Sequence, residues 1–430
     1  MSSLLVLAAF TAGSVVSATQ EIRVSRVVGS RENSFSKIRI SVIANSTSSS
    51  ALKDSYDYSA QFQNSWTNFY LSTKIVDVIP GQENIIAVGS DQVKVKVPAA
   101  REGVLGVVVA DVCNSLSQYC GYGSVYKVDA RLPEILNAVA SDSAVDFYGI
   151  FGDNFYDQTG AATTLFYDQV GADLKSKFLV TANGNHDMWV RGSPDLYQQG
   201  LDQLGNGYIQ YYGQDSVASV KTFPYDFSVL PTSSEALPVA ANFFSYNLLG
   251  NTGFITFSGA HSYSSQSSLF EEACSYFSGI GDDVSFIVLA GHWNMPGDGD
   301  KDASTPAVYA KLTSADSQCS GIKSKLRYFE GHVHENKVVV PDVGFMVGSN
   351  GMTDSFDMSS NEWGVTIVDT SSDSFKVYYF PLMGITSATK TTQDSVVSFD
   401  NYQTVLDCFK SKGVRGCYSL AKGWTSVSVV

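Results

Sequence analysis

Four of the chain's five histidines, His186, His292, His332 and His334, stand directly behind apolar runs that end in polar side chains. The runs read GVLGVVVADVCN (103–114), VDFYGIFGDNFY (145–156), KFLVTANGNHD (177–187), FIVLAGHW (286–293) and LRYFEGHVH (326–334). With the histidines, these ends carry Asp111, Asp153, Tyr156 and Asn185. This inventory suits a pair of cations. A carboxylate has two oxygens and can bridge two ions, imidazoles and an amide oxygen fill outer positions, and a phenolate is a hard donor suited to ferric iron. Two metals about 3.5–4 Å apart supply a nucleophile and charge stabilisation for cleavage of a phosphoester.

The runs must be strands for these residues to meet. Buried parallel strands read as continuous apolar stretches, and the ligand crevice of an open α/β sheet lies beyond their carboxyl ends. Residues 127–140 and 267–277 read as helices between them, and 337–382 return to strand. The fold class expected is α/β (α+β): a two-sheet β-sandwich, rich in antiparallel pairs and flanked by helices. Residues 19–100 alternate polar and apolar (EIRVSRVV, KIRISVIA, QVKVKVP), which predicts an N-terminal β-rich accessory segment. The other reading of that alternation is that its strands complete the main sheet. The expected division is a signal peptide (1–18), this segment (19–100), a catalytic domain (101–385) and a tail with a Cys pair (386–430). The Ser/Thr-rich stretch 385–400 reads as a linker. His332 and His334 share a face if their segment is extended, because the side-chain period of a strand is two. His261 also ends an apolar run, and both a pocket-facing and a structural role are open to it.

The chain has 430 residues, of which 44% are hydrophobic, and a net charge of -14 from 28 basic and 42 acidic residues. That balance argues against nucleic acid or an anionic membrane as a partner. The N-terminus MSSLLVLAAFTAGSVVSATQ reads as a secretory leader with cleavage after Ala18. Its apolar part is too short to span a bilayer, and no later segment is long and apolar enough to do so. The expected location is therefore secreted, extracellular or in an endomembrane lumen. Six cysteines without a Cys-x-x-Cys pair suit disulfides in an oxidising compartment. Sequential pairing, 113–120, 274–319 and 408–417, is the simplest pattern. Asn45-Ser46-Thr47 is a glycosylation sequon, which places Asn45 on the surface.

GDNFY followed by Gly160, then GNHD, GH and GHVH, in this order, resemble the calcineurin-like metallophosphoesterase superfamily. Tyr156, three residues after Asp153, resembles its purple (tartrate-resistant) acid phosphatase-like branch. The resemblance covers roughly residues 104–382. It implies that Asp111, Asp153, Tyr156 and His334 hold one metal, and that Asp153, Asn185, His292 and His332 hold the other. The implied cofactor is two metal ions, iron plus iron, zinc or manganese, bridged by Asp153. It further implies that His186 orients or protonates the leaving-group oxygen, that Asp187 orients the His186 imidazole, and that a metal-bound hydroxide is the nucleophile. The expected activity is that of a secreted acid phosphatase acting on a phosphomonoester, either a small molecule or a phosphoprotein. A phosphodiesterase or nucleotidase of the same fold, and a catalytically weak scaffold, are the alternatives. Three departures stand out. Asp111-Val112-Cys113 replaces Asp-Trp-Gly, which makes Cys113 a candidate soft ligand beside its expected disulfide role. The loop after His292 lacks the family's further substrate-facing histidine. The same loop carries Asp298, Asp300 and Asp302, which would repel anionic substrates if they faced the pocket.

Overall fold

The computed structural model describes residues 20–29, 35–45, 58–61, 69–88, 91–113, 127–157, 160–188, 205–222, 239–294, 302–348, 362–371, 373–387 and 395–428. The leader, Ser46 and Thr47 of the sequon, Cys120, Asp298 and Asp300 lie outside the described residues.

Six strands come first: β1 (Gln20–Arg26), β2 (Lys37–Asn45), β3 (Tyr58–Gln61), β4 (Phe69–Asp77), β5 (Gln82–Val88) and β6 (Asp91–Val97). Alternation of strands and helices follows: β7 (Leu105–Val109), α1 (Val128–Ala140), β8 (Phe147–Phe151), α2 (Ala161–Gln169), α3 (Ala172–Lys175), β9 (Phe178–Ala182), α4 (Asn185–Met188), α5 (Asn206–Tyr212) and α6 (Val217–Thr222). The second half holds β10 (Ser245–Leu249), β11 (Thr252–Thr256), α7 (Tyr263–Ile280), β12 (Phe286–Ala290), α8 (Thr305–Thr313), β13 (Leu326–Glu330), β14 (Asn336–Val340) and β15 (Gly344–Val347). It closes with β16 (Glu362–Asp369), β17 (Ser374–Ser387), β18 (Ser395–Asp400), α9 (Tyr402–Lys412) and β19 (Lys422–Ser428).

One sheet runs β18-β17-β16-β7-β8-β9-β1-β2-β4-β3, with β19 also paired on β17. A second runs β10-β11-β12-β13-β15-β14, and β5 and β6 form a separate hairpin. Each large sheet is parallel at its centre, through β7, β8 and β9 in one and β11, β12 and β13 in the other. Antiparallel pairs flank both centres. Helical crossovers return the chain to the same end of the sheet, as parallel neighbours require.

The two sheets pack face to face between layers of helix. Alternate residues of β7 divide the work: Leu105, Val107 and Val109 face α1 and its neighbours, while Val108 faces the second sheet. Phe147 of β8 meets Phe254 of β11 edge-on across the interface, with ring centroids 5.1 Å apart. Truncating such a fully buried aromatic costs about 3–5 kcal/mol. α1 presents Leu132, Ile135, Leu136 and Val139 at helical spacing to the first sheet. α7 starts at Ser262, whose hydroxyl caps Ser265 N at 3.2 Å, and buries Phe270, Ala273 and Phe277 on the second sheet.

The first and last described strands, β1 and β19, are built into the sandwich. β1 joins β9 through the Val24–Phe178 pair and carries β2, β4 and β3 outward as a continuation of the first sheet. The stretch 385–400 is not a plain linker: β17 runs through it to Ser387, and β18 occupies 395–400. β19 pairs with β17, and Asp369 accepts from Arg415 Nε at 3.0 Å and from the Tyr418 hydroxyl at 2.6 Å. The disulfides Cys274–Cys319 and Cys408–Cys417 form as sequential pairing expects. No helix among the described residues is long and apolar enough to cross a membrane.

Candidate metal centre

Asp111 follows β7, Asp153 follows β8 and Asn185 follows β9, all in the first sheet. His292 follows β12 and His332 follows β13, in the second. Every one of these strands ends at the same rim of the sandwich, because β7, β8 and β9 are mutually parallel, as are β12 and β13. The backbone turns sharply there. Asp111, Asp153, Tyr156 and His332 have left-handed φ of 53°, 49°, 52° and 73°, four of the nine non-glycine residues with positive φ among those described. Such conformations persist where the surroundings over-determine them, and they cluster at functional sites. Here Asp111 N donates to Gly152 O at 3.1 Å, His332 N to Asp111 Oδ2 at 3.0 Å, and His186 N to Asp153 Oδ1 at 2.9 Å. A Cβ on Gly184 would lie 2.2 Å from Asp153 Oδ1, and one on Gly331 would lie 2.5 Å from Asp111 Oδ2, so both positions need glycine for the loops to close. Phe155 anchors the intervening loop against Phe166 at 4.6 Å, and Asp157 accepts from Gly160 N and Thr163 N at the start of α2.

The side chains fall into two triads. The Tyr156 hydroxyl lies 3.2 Å from Asp111 Oδ1 and 3.2 Å from His334 Nε2. Asn185 Oδ1 lies 3.2 Å from His292 Nε2 and 3.0 Å from His332 Nδ1. Asp153 stands between them: its Oδ1 is 3.3 Å from His292 Nε2, and it also hydrogen-bonds the Tyr156 phenol. Asp111, Asp153 and His292 bring one ligand atom each to within 4.8 Å of one another, all three buried. His292 Nδ1 is turned to Phe151 O at 3.1 Å, which leaves Nε2 for the cluster.

Electrostatics points the same way. Burial alone would raise the Asp153 carboxyl, but His292, His186 and its hydrogen bonds hold it well below the usual carboxylate range. Burial raises Asp111, against the pull of His292 and His334. Burial opposes a charge on His292, yet Asp153 and Asp111 outweigh it and raise the imidazole to about 9. Burial pushes the Tyr156 phenol up, and the two carboxylates push it further. Two buried carboxylates held this close call for positive charge, and a donor set of carboxylate, phenol, amide oxygen and imidazole fits metal ions. His186 lies over the Tyr156 ring at 4.7 Å, and burial lowers its imidazole to about 4, with Asp153 opposing.

Several expectations are corrected. His332 and His334 do not share the face of an extended strand: they lie in a turn beyond β13, and each serves a different triad. Asp187 does not orient His186, because its carboxylate accepts from Asn154 N, Asn154 Nδ2 and Gly184 N instead. The Asp302 carboxylate is engaged outside both triads, accepting from Tyr263 N at 3.1 Å and Lys311 Nζ at 3.0 Å. Cys113 is disulfide-bonded, which removes it as a soft ligand. His261 takes neither triad; its Nδ1 lies 3.0 Å from the Ser258 hydroxyl. Asn154 and Asp157 escaped the sequence reading, although the Asp-Asn pair in GDNFY was a visible signal for the first.

No protein-family model matches the sequence, and no curated protein matches it either. Among solved structures the chain is similar to the purple acid phosphatase PPD1 from yellow lupin (Lupinus luteus) seeds, with a TM-score of 0.55 and 11% identity over 91% of this chain and 76% of that one. It is also similar to PhoD (TM-score 0.43, 11% identity, 89% of this chain and 91% of that one). A third likeness is to GAP50, the anchor in the inner membrane complex of Plasmodium (TM-score 0.36, 13% identity, 75% and 96%). The fold is that of the calcineurin-like metallophosphoesterases. Within that fold the likeness is to the purple acid phosphatase from yellow lupin seeds.

Proposed function

We propose that this chain is a secreted, binuclear metal-dependent acid phosphatase that hydrolyses phosphomonoesters, with iron in one site and iron, zinc or manganese in the other. The observation that carries this reading is the place of Asp153, between the triad Asp111, Tyr156, His334 and the triad Asn185, His292, His332. Hard oxygen donors dominate the first triad and imidazoles the second, which suits two unlike ions. When bound, the cations supply the nucleophile and neutralise charge on the phosphoryl oxygens. The chain's own residues do the rest. Asp153 and Asp111 hold the positive charge at one point. His186, placed over Tyr156 and beside Asp153, offers a proton to the departing oxygen. The substrate is a small phosphoester or a phosphoprotein. The apolar leader and the disulfides support an oxidising compartment.

Elemental analysis beside an aryl phosphomonoester assay, on wild type and Asp153→Asn, tests this. The expected result is about two metal ions per wild-type chain and turnover that the variant lacks. Equal rates in the two proteins, both folded, would make the fold a scaffold. Faster turnover of diesters or nucleotides than of monoesters would move the assignment to a phosphodiesterase or nucleotidase.

A further inference from the structure

Asn154 directly follows Asp153, and Gly184 directly precedes Asn185. The backbone N–H groups of both are taken up by one side chain. Asn154 N donates to Asp187 Oδ1 at 3.0 Å, and Gly184 N donates to Asp187 Oδ2 at 2.6 Å. The Asn154 amide adds a third bond, Nδ2 to Asp187 Oδ2 at 2.9 Å, and reaches Ala182 O at 3.1 Å. Thr181 donates to Asn154 Oδ1 at 3.3 Å, so the Asn154 side chain is tied at both ends. Asp187 and Asn154 are both buried. One carboxylate therefore holds the loop after β8 to the loop after β9. Its two acceptor oxygens match three N–H donors; an amide in its place has a single acceptor oxygen and would leave buried donors unmatched. The loops it joins are in close contact, since Gly184 has no room for a Cβ beside Asp153.

We propose that Asp187 is a positioning residue: by clamping Asn154 and Gly184 it sets the separation of Asp153 from Asn185, and with it the affinity of the site that those two residues share. This rests on the metal-binding reading above. It differs from an Asp187 that orients the His186 imidazole, because a clamp acts on cation affinity and loop closure, whereas an orienting group acts on proton donation. The clamp also explains why a buried carboxylate stands beside a site that already holds two, where like charge is unfavourable unless its hydrogen bonds are complete.

The test uses the full chain as wild type, Asp187→Asn, Asn154→Ala and the double variant. Two quantities are read: amide hydrogen exchange of residues 154 and 184 in metal-free protein, and zinc affinity by competition with a chelator. Asp187→Asn should expose both amides to exchange and weaken zinc at the second site about 10–100-fold, the range for loss of an outer-shell partner. Asn154→Ala should weaken zinc less, and the double variant should fall short of the sum of the two single effects, because the two side chains share one interaction. If Asp187→Asn does not fold, Asn154→Ala carries the same test, since it removes only the side-chain half of the clamp. Wild-type zinc affinity in Asp187→Asn, with slowed release of poor leaving groups alone, would overturn the clamp in favour of an orienting role. Unchanged protection of both amides would overturn it as well. A wild type that binds no zinc counts against the metal reading of the site, and the exchange comparison then decides the clamp by itself.

Discussion

The Tyr156 phenol oxygen lies 3.2 Å from His334 Nε2, and equally 3.2 Å from Asp111 Oδ1. A phenolate in that position on ferric iron gives a visible charge-transfer band, as the family resemblance implies. Tyr156→Phe should abolish the colour of iron-loaded protein and leave the fold intact. Absorption spectra of the two proteins, with circular dichroism as the fold control, check this. An unchanged band in the Phe variant would remove Tyr156 from the ligand set.

Asp153 reaches His292 of one triad and Tyr156 of the other. Asp153→Asn should therefore lower metal content at both sites, while Asn185→Ala lowers it at one. Loss of one partner from a buried charged cluster costs about 3–5 kcal/mol, which is roughly 100-fold or more in affinity where it falls on binding. Elemental analysis after dialysis distinguishes the two. Retention of one full equivalent by Asp153→Asn would show that the bridge is misassigned.

Burial holds the His186 imidazole at about 4, below its ordinary value of 6.5. The proton-donating form therefore grows as pH falls toward 4 and is scarce above it. The rate ratio of wild type to His186→Ala on a poor leaving group should rise from pH 6 to pH 4, and on a good leaving group it should stay near flat. A ratio independent of pH for both substrates would exclude His186 as the acid.

Glu21 lies in β1, buried, and burial raises its carboxyl from 4.5 to about 8 against the pull of Arg23 and Lys175. The folded state thus holds a proton that the unfolded chain gives up near 4.5. Its stabilising share is complete below that pH and is lost as pH rises toward 8, at a slope of at most about 1.4 kcal/mol per pH step. Glu330, raised by burial to about 8, acts with the same sign. Denaturant midpoints should fall between pH 5 and pH 8, and Glu21→Gln, which mimics the neutral acid, should flatten part of that slope. A slope identical in the Gln variant would show that Glu21 titrates normally.

Much of the centre was legible because its chemistry is written in short, ordered motifs. Asp111, Asp153, Tyr156, Asn185, His292, His332 and His334 were all readable from polar residues at the ends of apolar runs, and the structure brings all seven together. Strand identity was legible for the same reason: β7, β8, β12 and β13 are buried along their whole length and β9 at all but Thr181, and such strands read as near-continuous apolar runs.

What the tertiary structure alone decided depends on partners far apart in sequence. Whether β1 to β4 formed a separate module or continued the main sheet turned on the pairing of Val24 with Phe178, which local alternation does not encode. The split of His332 and His334 between two triads came from the left-handed turn at His332, a backbone state that neighbouring residues do not announce. Asp187 and Asp302 looked like site residues by position. Their carboxylates went instead to Asn154 and Gly184, and to Tyr263 and Lys311, because a buried or half-buried carboxylate takes whatever donors the packed loops bring within reach. The sequence by itself determined which residues can bind and react. Only the folded chain decided which of them face one another, since that depends on strand order and loop closure across hundreds of residues.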